Sequence, residues 1–284
     1  MFRREGRRIL SDSPMNAVAP FIMPDRIGAS NSFSSSFDIS KCEELIRKKR
    51  AEGLKGIGMM HLFMAAYVRV VSQLPGINRY IRGQRVYARN SIEICMVIKK
   101  SLTLNSAETI IKIFPEHTDT LDAVYEQLSS EVEKNKEITE QSKLDNLIRL
   151  LFKIPRLFLK FIVWILKTFD YYGLLPRSLT RLSPFHGSLF ITNLGSLGIP
   201  PVSHHIYNFG NIPLFIALGA KRTVYNLNKD GEVEKQRLID FTIMCDDRIC
   251  DGHYYATAFK KLKKLLEDPE QLLTPPACVV EDIR

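Results

Sequence analysis

The spacing of hydrophobic and polar positions predicts helices early in the chain and mostly strands later. Residues 121, 124, 128 and 132 are apolar at helical spacing, for example. The pattern predicts helices over 41–53, 59–74, 118–136 and from 251 or 252 to about 266, and strands over 32–39, 85–99, 109–114, 188–193, 213–219, 222–227 and 234–245. This order favours an α+β fold with a mixed β-sheet and flanking helices over an alternating βαβ series.

Residues 142–182 are predicted to form an apolar and basic helical segment. Its longest uncharged run, 161–166, is too short to span a bilayer, and Pro155 is expected to kink the helix or separate two helices. Two interpretations remain open: a helix packed on the domain or across a subunit contact, and peripheral contact with a membrane interface through 146–169. Five basic residues lie along one predicted helix stripe, namely Arg149, Lys153, Arg156, Lys160 and Lys167.

The net charge of +9 on 284 residues is concentrated in two places. Residues 1–10 carry four arginines against one glutamate, and 146–169 carry five basic residues and no acid. A nucleic-acid partner is not expected, because such proteins spread basic residues over a docking face. We expect residues 1–29 to form an N-terminal arm and residues 30–284 to form a single domain.

Cysteine and histidine spacing adds two expectations. The five cysteines form an odd set without a CxxC pair, which is typical of reduced thiols in a cytoplasmic protein. No apolar run of signal-peptide length follows the N-terminal arginines. The six histidines show no HExxH or Cys/His spacing, so no metal site is expected.

Two short motifs carry candidate chemistry: GSLFITNLGSLG over 187–198 and CDDRICDGH over 245–253. Together they resemble the catalytic domain of the dihydrolipoyl acyltransferases of 2-oxo acid dehydrogenase complexes, whose fold the chloramphenicol acetyltransferases share. Residues 188–195 are similar to the family strand GxFxISNLG, and 246–252 to its motif DHRxxDG. The resemblance covers about residues 30–274, with 142–182 as inserted material. It implies a chloramphenicol acetyltransferase-like fold.

The resemblance also implies roles for individual residues. Thr192 stands where the family's hydroxyl stabilises the oxyanion. The resemblance makes Asp251 the residue that orders the active-site loop by pairing with an arginine and with backbone groups. It puts Asn193, Gly195 and Gly252 at cofactor-binding positions for coenzyme A.

Asp247 occupies the position of the family's catalytic histidine. A thiol has a pKa of about 8.5, a histidine about 6.5 and an aspartate about 3.9, so aspartate is the weaker base by roughly 3 to 4 kcal/mol of proton affinity. His253 is a less favoured alternative base, and the pair His204-His205 is expected to be an ordinary loop. Taken alone, the second motif also fits a capped helix start with Asp251 as the N-cap.

The first functional hypothesis is acyl transfer from acyl-coenzyme A to a thiol, hydroxyl or amine, including a lipoyl-type acceptor, in an enzyme whose catalysis is impaired if Asp247 is too weak a base. The resemblance implies a homotrimer whose active site lies between subunits, with Thr192 from one and the Asp247 loop from the next. No covalent lipoyl group is expected on this chain. The alternative is a non-catalytic coenzyme A-binding or assembly module, also considered at a membrane surface.

Overall fold

The computed structural model describes residues 5–10, 13–99, 108–137, 154–228 and 230–283. The part of the predicted segment 142–182 that precedes residue 154 lies outside these ranges. The elements in chain order are β1 (Gly6–Arg8), α1 (Pro14–Ile22), β2 (Ser30–Asp38), α2 (Ser40–Ala51), α3 (Met59–Gln73), β3 (Tyr80–Arg82), β4 (Arg85–Arg89), β5 (Ile94–Lys99), β6 (Glu108–Ile113), α4 (Leu121–Glu137), α5 (Arg156–Tyr172), α6 (Arg177–Leu182), β7 (Leu189–Asn193), β8 (Leu214–Leu227), β9 (Val233–Asp246) and α7 (Gly252–Glu267).

The larger sheet is mixed and has the strand order β2-β9-β8-β7-β5-β6. Strands β5, β7 and β8 run parallel, whereas β2, β6 and β9 are antiparallel to the strands beside them. Side chains alternate across a strand, so the sheet has two distinct faces. The mixed sheet with its flanking helices confirms the predicted α+β fold class.

The inner face of the sheet builds the main hydrophobic core. Ile191, Ile216 and Ile243 are in register on β7, β8 and β9 and join one buried cluster with residues of α3 and α7. Helix α3 is buried around most of its circumference, which is typical of a central helix. The outer face carries a smaller cluster that includes Phe190 and Phe215.

The prediction of one strand over 85–99 is wrong. The structure has two strands there, β4 and β5, which belong to different sheets. Residues 90–93 between them have no strand conformation, and the Glu93 N–H donates to the Ser188 side chain instead. Strand β4 pairs with β1 and β3 in a small three-stranded sheet, so part of the N-terminal arm is bound to the body of the protein.

The predicted strands 213–219 and 222–227 are one continuous strand, β8. The register with β9 shifts between Leu218 and Lys221, where β8 carries one extra residue. Such a β-bulge bends a strand without ending it. In the turn between β8 and β9, the Asn228 side chain accepts the N–H groups of Asp230 and Glu232.

The described part of the inserted segment is helical. Helix α5 begins directly after Pro155 and ends at Gly173, whose φ of 71° suits glycine. Helix α6 begins at Arg177, shortly after the end of α5. None of the helices in the described ranges is long and apolar enough to cross a membrane.

A buried ion network fixes the inserted segment to the small sheet. Arg177 of α6 contacts Glu5 at 3.2 Å and Glu93 at 2.6 Å. Arg82 of β3 binds Glu5 and also lies 3.8 Å from Asp170 of α5. Because these acidic groups are buried, each needs its cationic partners. The network therefore joins the N-terminus, the small sheet and the inserted helices.

Candidate active site

Thr192 lies near the end of β7 on the outer face of the sheet. It is half-buried, and it is in register with Ala217 on β8, which is in register with Thr242 on β9. Thr242 in turn lies 3.2 Å from the Ser34 hydroxyl on β2. Within the described chain, the Thr192 hydroxyl has no hydrogen-bond partner, so it is available to donate to a ligand on this face.

The residues after Thr192 shape a tight turn. The Asn193 side chain accepts the Gly195 N–H at 2.9 Å, and the Leu194 N–H donates to Leu218 of the next strand. A Cβ on Gly195 would lie 2.9 Å from the Gly219 carbonyl oxygen, so a larger residue would displace the turn. Asn193 and Gly195, predicted as cofactor-binding residues, therefore have a structural role that fixes the end of β7.

The second motif forms the loop between β9 and α7. Asp246 is buried and binds Arg248 through two bonds of 2.8 Å, while the Tyr255 hydroxyl donates to the Asp246 carbonyl. Asp247 is half-buried; its N–H donates to Ala29, and its carboxylate has no partner among the described residues. The loop thus leaves the Asp247 carboxylate available to contact a ligand.

Asp251 makes a backbone contact, as the resemblance implies, but it does not pair with the arginine of the motif. Its carboxylate accepts the Tyr254 N–H at 2.8 Å as the N-cap of α7, which matches the alternative interpretation of the motif. The arginine of the motif, Arg248, binds Asp246 rather than Asp251. Gly252 is exposed and begins α7, and His253 is exposed beside it.

Thr192 and Asp247 lie well apart along the sheet within one chain. Thr192 shares a cross-strand row with Thr242 of β9, and Asp247 follows Thr242 by five residues. At about 3.3 Å per strand residue this offset is ~17 Å along β9, and the two strand spacings add ~10 Å across the sheet. The two candidate catalytic side chains therefore do not share a site in one subunit.

His204, expected to be part of an ordinary loop, lies over the outer face. Its ring stacks on Phe215 with centroids 4.0 Å apart, and Phe215 stacks on Phe190, two residues before Thr192 on β7. Its Nδ1 bonds the His205 carbonyl at 2.7 Å; the carbonyl can only accept, so Nδ1 carries a proton, and in the neutral ring the lone pair is on Nε2.

Burial lowers the pKa of His204, partly offset by the bond to His205. The neutral imidazole is thus favoured, and it can act as a base. His204 lies about two residues, ~7 Å, along the sheet from the Thr192 row. No local pattern in the sequence indicates this neighbourhood, because it arises where the loop 199–205 crosses the sheet.

In the part of the chain that the structure describes, no group of three His, Cys, Asp or Glu side chains is arranged to hold a metal ion. The chemistry that the site offers is that of hydroxyl, carboxylate and imidazole groups.

Part of the sequence matches a known protein family. Residues 178–274, which contain both motifs, match the family model of the 2-oxoacid dehydrogenases acyltransferase catalytic domain. No curated protein sequence matches the chain.

Solved structures are similar over most of the chain. A probable dihydrolipoamide acetyltransferase from Listeria monocytogenes 4b F2365 is 13% identical, with 91% of this chain and 95% of that chain covered and a TM-score of 0.57. The cubic core of a pyruvate dehydrogenase multienzyme complex is 14% identical, with 93% and 94% covered and a TM-score of 0.59. A chloramphenicol acetyltransferase is 13% identical, with 92% and 99% covered and a TM-score of 0.53.

These comparisons confirm the predicted resemblance. The fold is that of the dihydrolipoamide and chloramphenicol acetyltransferases, and residues 178–274 match the model of the acyltransferase catalytic domain. The match includes Thr192, Asp247 and Asp251.

Proposed function

We propose that this protein transfers an acyl group from acyl-coenzyme A to a thiol, hydroxyl or amine acceptor. The observation that carries the proposal is the position of Thr192. It lies in the segment that matches the acyltransferase catalytic domain, and its half-buried hydroxyl has no partner within the described chain. A hydroxyl held in this way can donate to the oxyanion of a tetrahedral intermediate. The thioester carbonyl would then lie on the outer face of the sheet.

The reaction needs a base, an acceptor X–H and a hydrogen-bond donor for the oxyanion. The proton that the base takes from the acceptor is returned to the leaving group. A base takes the proton of the acceptor X–H while X attacks the thioester carbonyl and forms the new C–X bond. Thr192 donates a hydrogen bond to the resulting oxyanion. The intermediate collapses, the C–S bond breaks, and the coenzyme A thiolate takes the proton back from the base.

The active site is proposed to form between subunits of a homotrimer. The wide separation of Thr192 and Asp247 on one sheet supports this arrangement, because a neighbour is needed to bring the two groups together. Among the solved structures, the pyruvate dehydrogenase core is described as a cubic assembly. A reducing, cytoplasmic location is part of the same proposal, supported by five cysteines without disulfides.

Two residues compete for the role of base. The resemblance puts Asp247 at the position of the family's base, but an aspartate is the weaker base by type. His204 lies on the same outer face as Thr192, in the same chain, with Nε2 unprotonated. If His204→Gln abolishes turnover, His204 is the base. The matched control is His205→Gln, at the exposed neighbouring residue, which should keep turnover.

The primary experiment measures coenzyme A release from acetyl-coenzyme A with dihydrolipoamide and a panel of small thiols and amines. Thr192→Ala is expected to lower kcat by about 100-fold to 1000-fold, the typical effect of removing one oxyanion donor, and Thr192→Ser should retain most activity. Wild-type turnover that is unaffected by Thr192→Ala would contradict the proposed role.

A second candidate function is a non-catalytic coenzyme A-binding or assembly module. The observation that favours it is the acid at position 247. Calorimetry of coenzyme A binding separates the candidates when combined with turnover. Binding without wild-type turnover, together with activity gained in Asp247→His, would establish the non-catalytic module.

A further inference from the structure

Helix α5 exposes an unusually apolar surface for a helix at the protein surface. Leu157 is 80% exposed, Phe158 64%, Phe161 55% and Trp164 60%. The rings of Phe161 and Trp164 stack on each other, with centroids 5.8 Å apart. Among the residues of α5, only Asp170 is buried. The helix therefore presents several large apolar side chains to the surroundings, which monomeric soluble proteins rarely do.

A cationic stripe runs beside this apolar face. At 100° per residue, Arg156, Lys160 and Lys167 lie within about 40° of one another around the helix. All three are exposed, and no acidic group of the described chain lies within ion-pair distance of them. Trp164 and Leu157 lie about 80° to 100° from Arg156 around the same helix. The exposed surface is therefore amphipathic and positively charged.

The end of α5 is firmly held. His186 Nε2 donates to Asp170 Oδ1 at 3.1 Å, and the Gly210 N–H donates to Asp170 Oδ2 at 3.1 Å. The Ser183 hydroxyl lies 2.8 Å from His186 Nδ1. Together with Arg82, these contacts satisfy the single acid of the helix inside the protein. The helix is thus attached at its C-terminal end, with its apolar face left outward.

The charge pattern indicates what covers this face. Contact with a second copy, including a neighbour in the proposed trimer, would set the cationic stripe against a chain whose net charge of +9 offers no surplus of acid to compensate, and a two-fold contact would also bring two stripes together. A spanning helix is excluded for the described helices by length and hydropathy. An anionic lipid surface accommodates both features, because apolar side chains enter the acyl boundary while cations stay at the headgroups.

We propose that α5 binds the surface of anionic membranes, with Leu157, Phe161 and Trp164 inserted and Lys160 and Lys167 at the headgroups. Tryptophan is favoured at this depth, where its ring is apolar and its N–H reaches the polar zone. The inference does not depend on acyl transfer. Helix α5 would hold the protein at the membrane surface whether or not the protein is an enzyme.

The single tryptophan of the sequence, Trp164, makes the test direct. The intact protein is mixed with vesicles of equal parts phosphatidylglycerol and phosphatidylcholine at low salt, and with vesicles of phosphatidylcholine alone. With the anionic vesicles, we expect Trp164 emission to shift to shorter wavelength and the protein to co-sediment. With the neutral vesicles, we expect neither effect. An unchanged spectrum with anionic vesicles overturns the proposal.

Matched variants identify the surface. Lys160→Gln/Lys167→Gln should weaken binding by about 30-fold, from the usual contribution of two cations near an anionic surface, whereas Lys260→Gln/Lys264→Gln on α7 should not. Leu157→Ser/Phe161→Ser should abolish binding, and Tyr225→Ser/Leu227→Ser, also at exposed apolar sites, should not. Equal losses in the control variants overturn the assignment to α5. Without lipid, emission that shifts as protein concentration rises shows a second copy on this face, and it also overturns the proposal.

Discussion

Replacing Glu5 with glutamine tests the buried ion network at its most strongly perturbed group. The Glu5 carboxylate binds Arg82 and Arg177 and accepts the Thr180 hydroxyl at 2.7 Å. Burial alone would raise the pKa of Glu5, but the charge of Arg82 and the bonds from Thr180 and Arg82 outweigh it and lower the pKa to about 2 from 4.5. A shift of this size corresponds to about 3 kcal/mol of folded-state stabilisation. We expect Glu5→Gln to lower the free energy of unfolding by about this amount at neutral pH.

Urea unfolding followed by circular dichroism, at a series of pH values, measures the effect. Since the folded-state pKa lies below the unfolded one, the stabilisation is complete above about pH 4.5 and is lost as the pH falls toward about 2. The stability difference between wild type and Glu5→Gln should therefore narrow through this window. Glu234→Gln, at an exposed position, serves as the control. A difference under about 0.5 kcal/mol at neutral pH, typical of surface substitutions, or one that stays constant with pH would refute the reasoning.

Two further predictions concern backbone geometry. Gly210 has a φ of 87°, and a Cβ there would lie 1.9 Å from the Phe185 carbonyl oxygen, so Gly210→Ala should destabilise the fold by more than about 2 kcal/mol in thermal unfolding. Gly53→Ala, at a φ of 108° with nothing within 4 Å, should cost only about 1 to 2 kcal/mol, and equal effects would contradict the steric argument. Asp251→Ala should destabilise by about 1 kcal/mol in urea unfolding by removing the N-cap of α7, and Asp251→Asn should not.

The sequence prediction is most accurate for elements that lie in a single environment along their whole length. Strand β7 was predicted within one residue, and helix α3 was predicted from its apolar run alone. The two errors have different causes. The sequence pattern predicts two strands where β8 is one, because a bulge places Gly219 and Ala220 inside the strand and a glycine there suggests a strand end. The pattern predicts one strand over residues 85–99 because both halves are apolar, although the two halves enter different sheets.

The candidate site was predictable only as far as its motifs extended. Motif positions led to Thr192 and Asp247, which both lie within the matched acyltransferase segment. The bond between Asp246 and Arg248 has no signal beyond their proximity in sequence. The position of His204 could be predicted only from the path of the loop that crosses β8, because its stacking partner Phe215 follows it by eleven residues. Contacts made by chain crossing depend on topology, which local periodicity does not encode.

The wide separation of Thr192 and Asp247 on one sheet has a consequence for how assembly controls activity. If both groups serve one reaction, each chain carries two half-sites that cannot meet each other. An open row of chains then completes one site fewer than it has chains, and only a closed ring completes them all. An isolated subunit would be silent even when fully folded. Dilution would therefore switch the protein off without unfolding it, and mixing a Thr192→Ala chain with an Asp247→Ala chain would restore sites that neither chain can build alone.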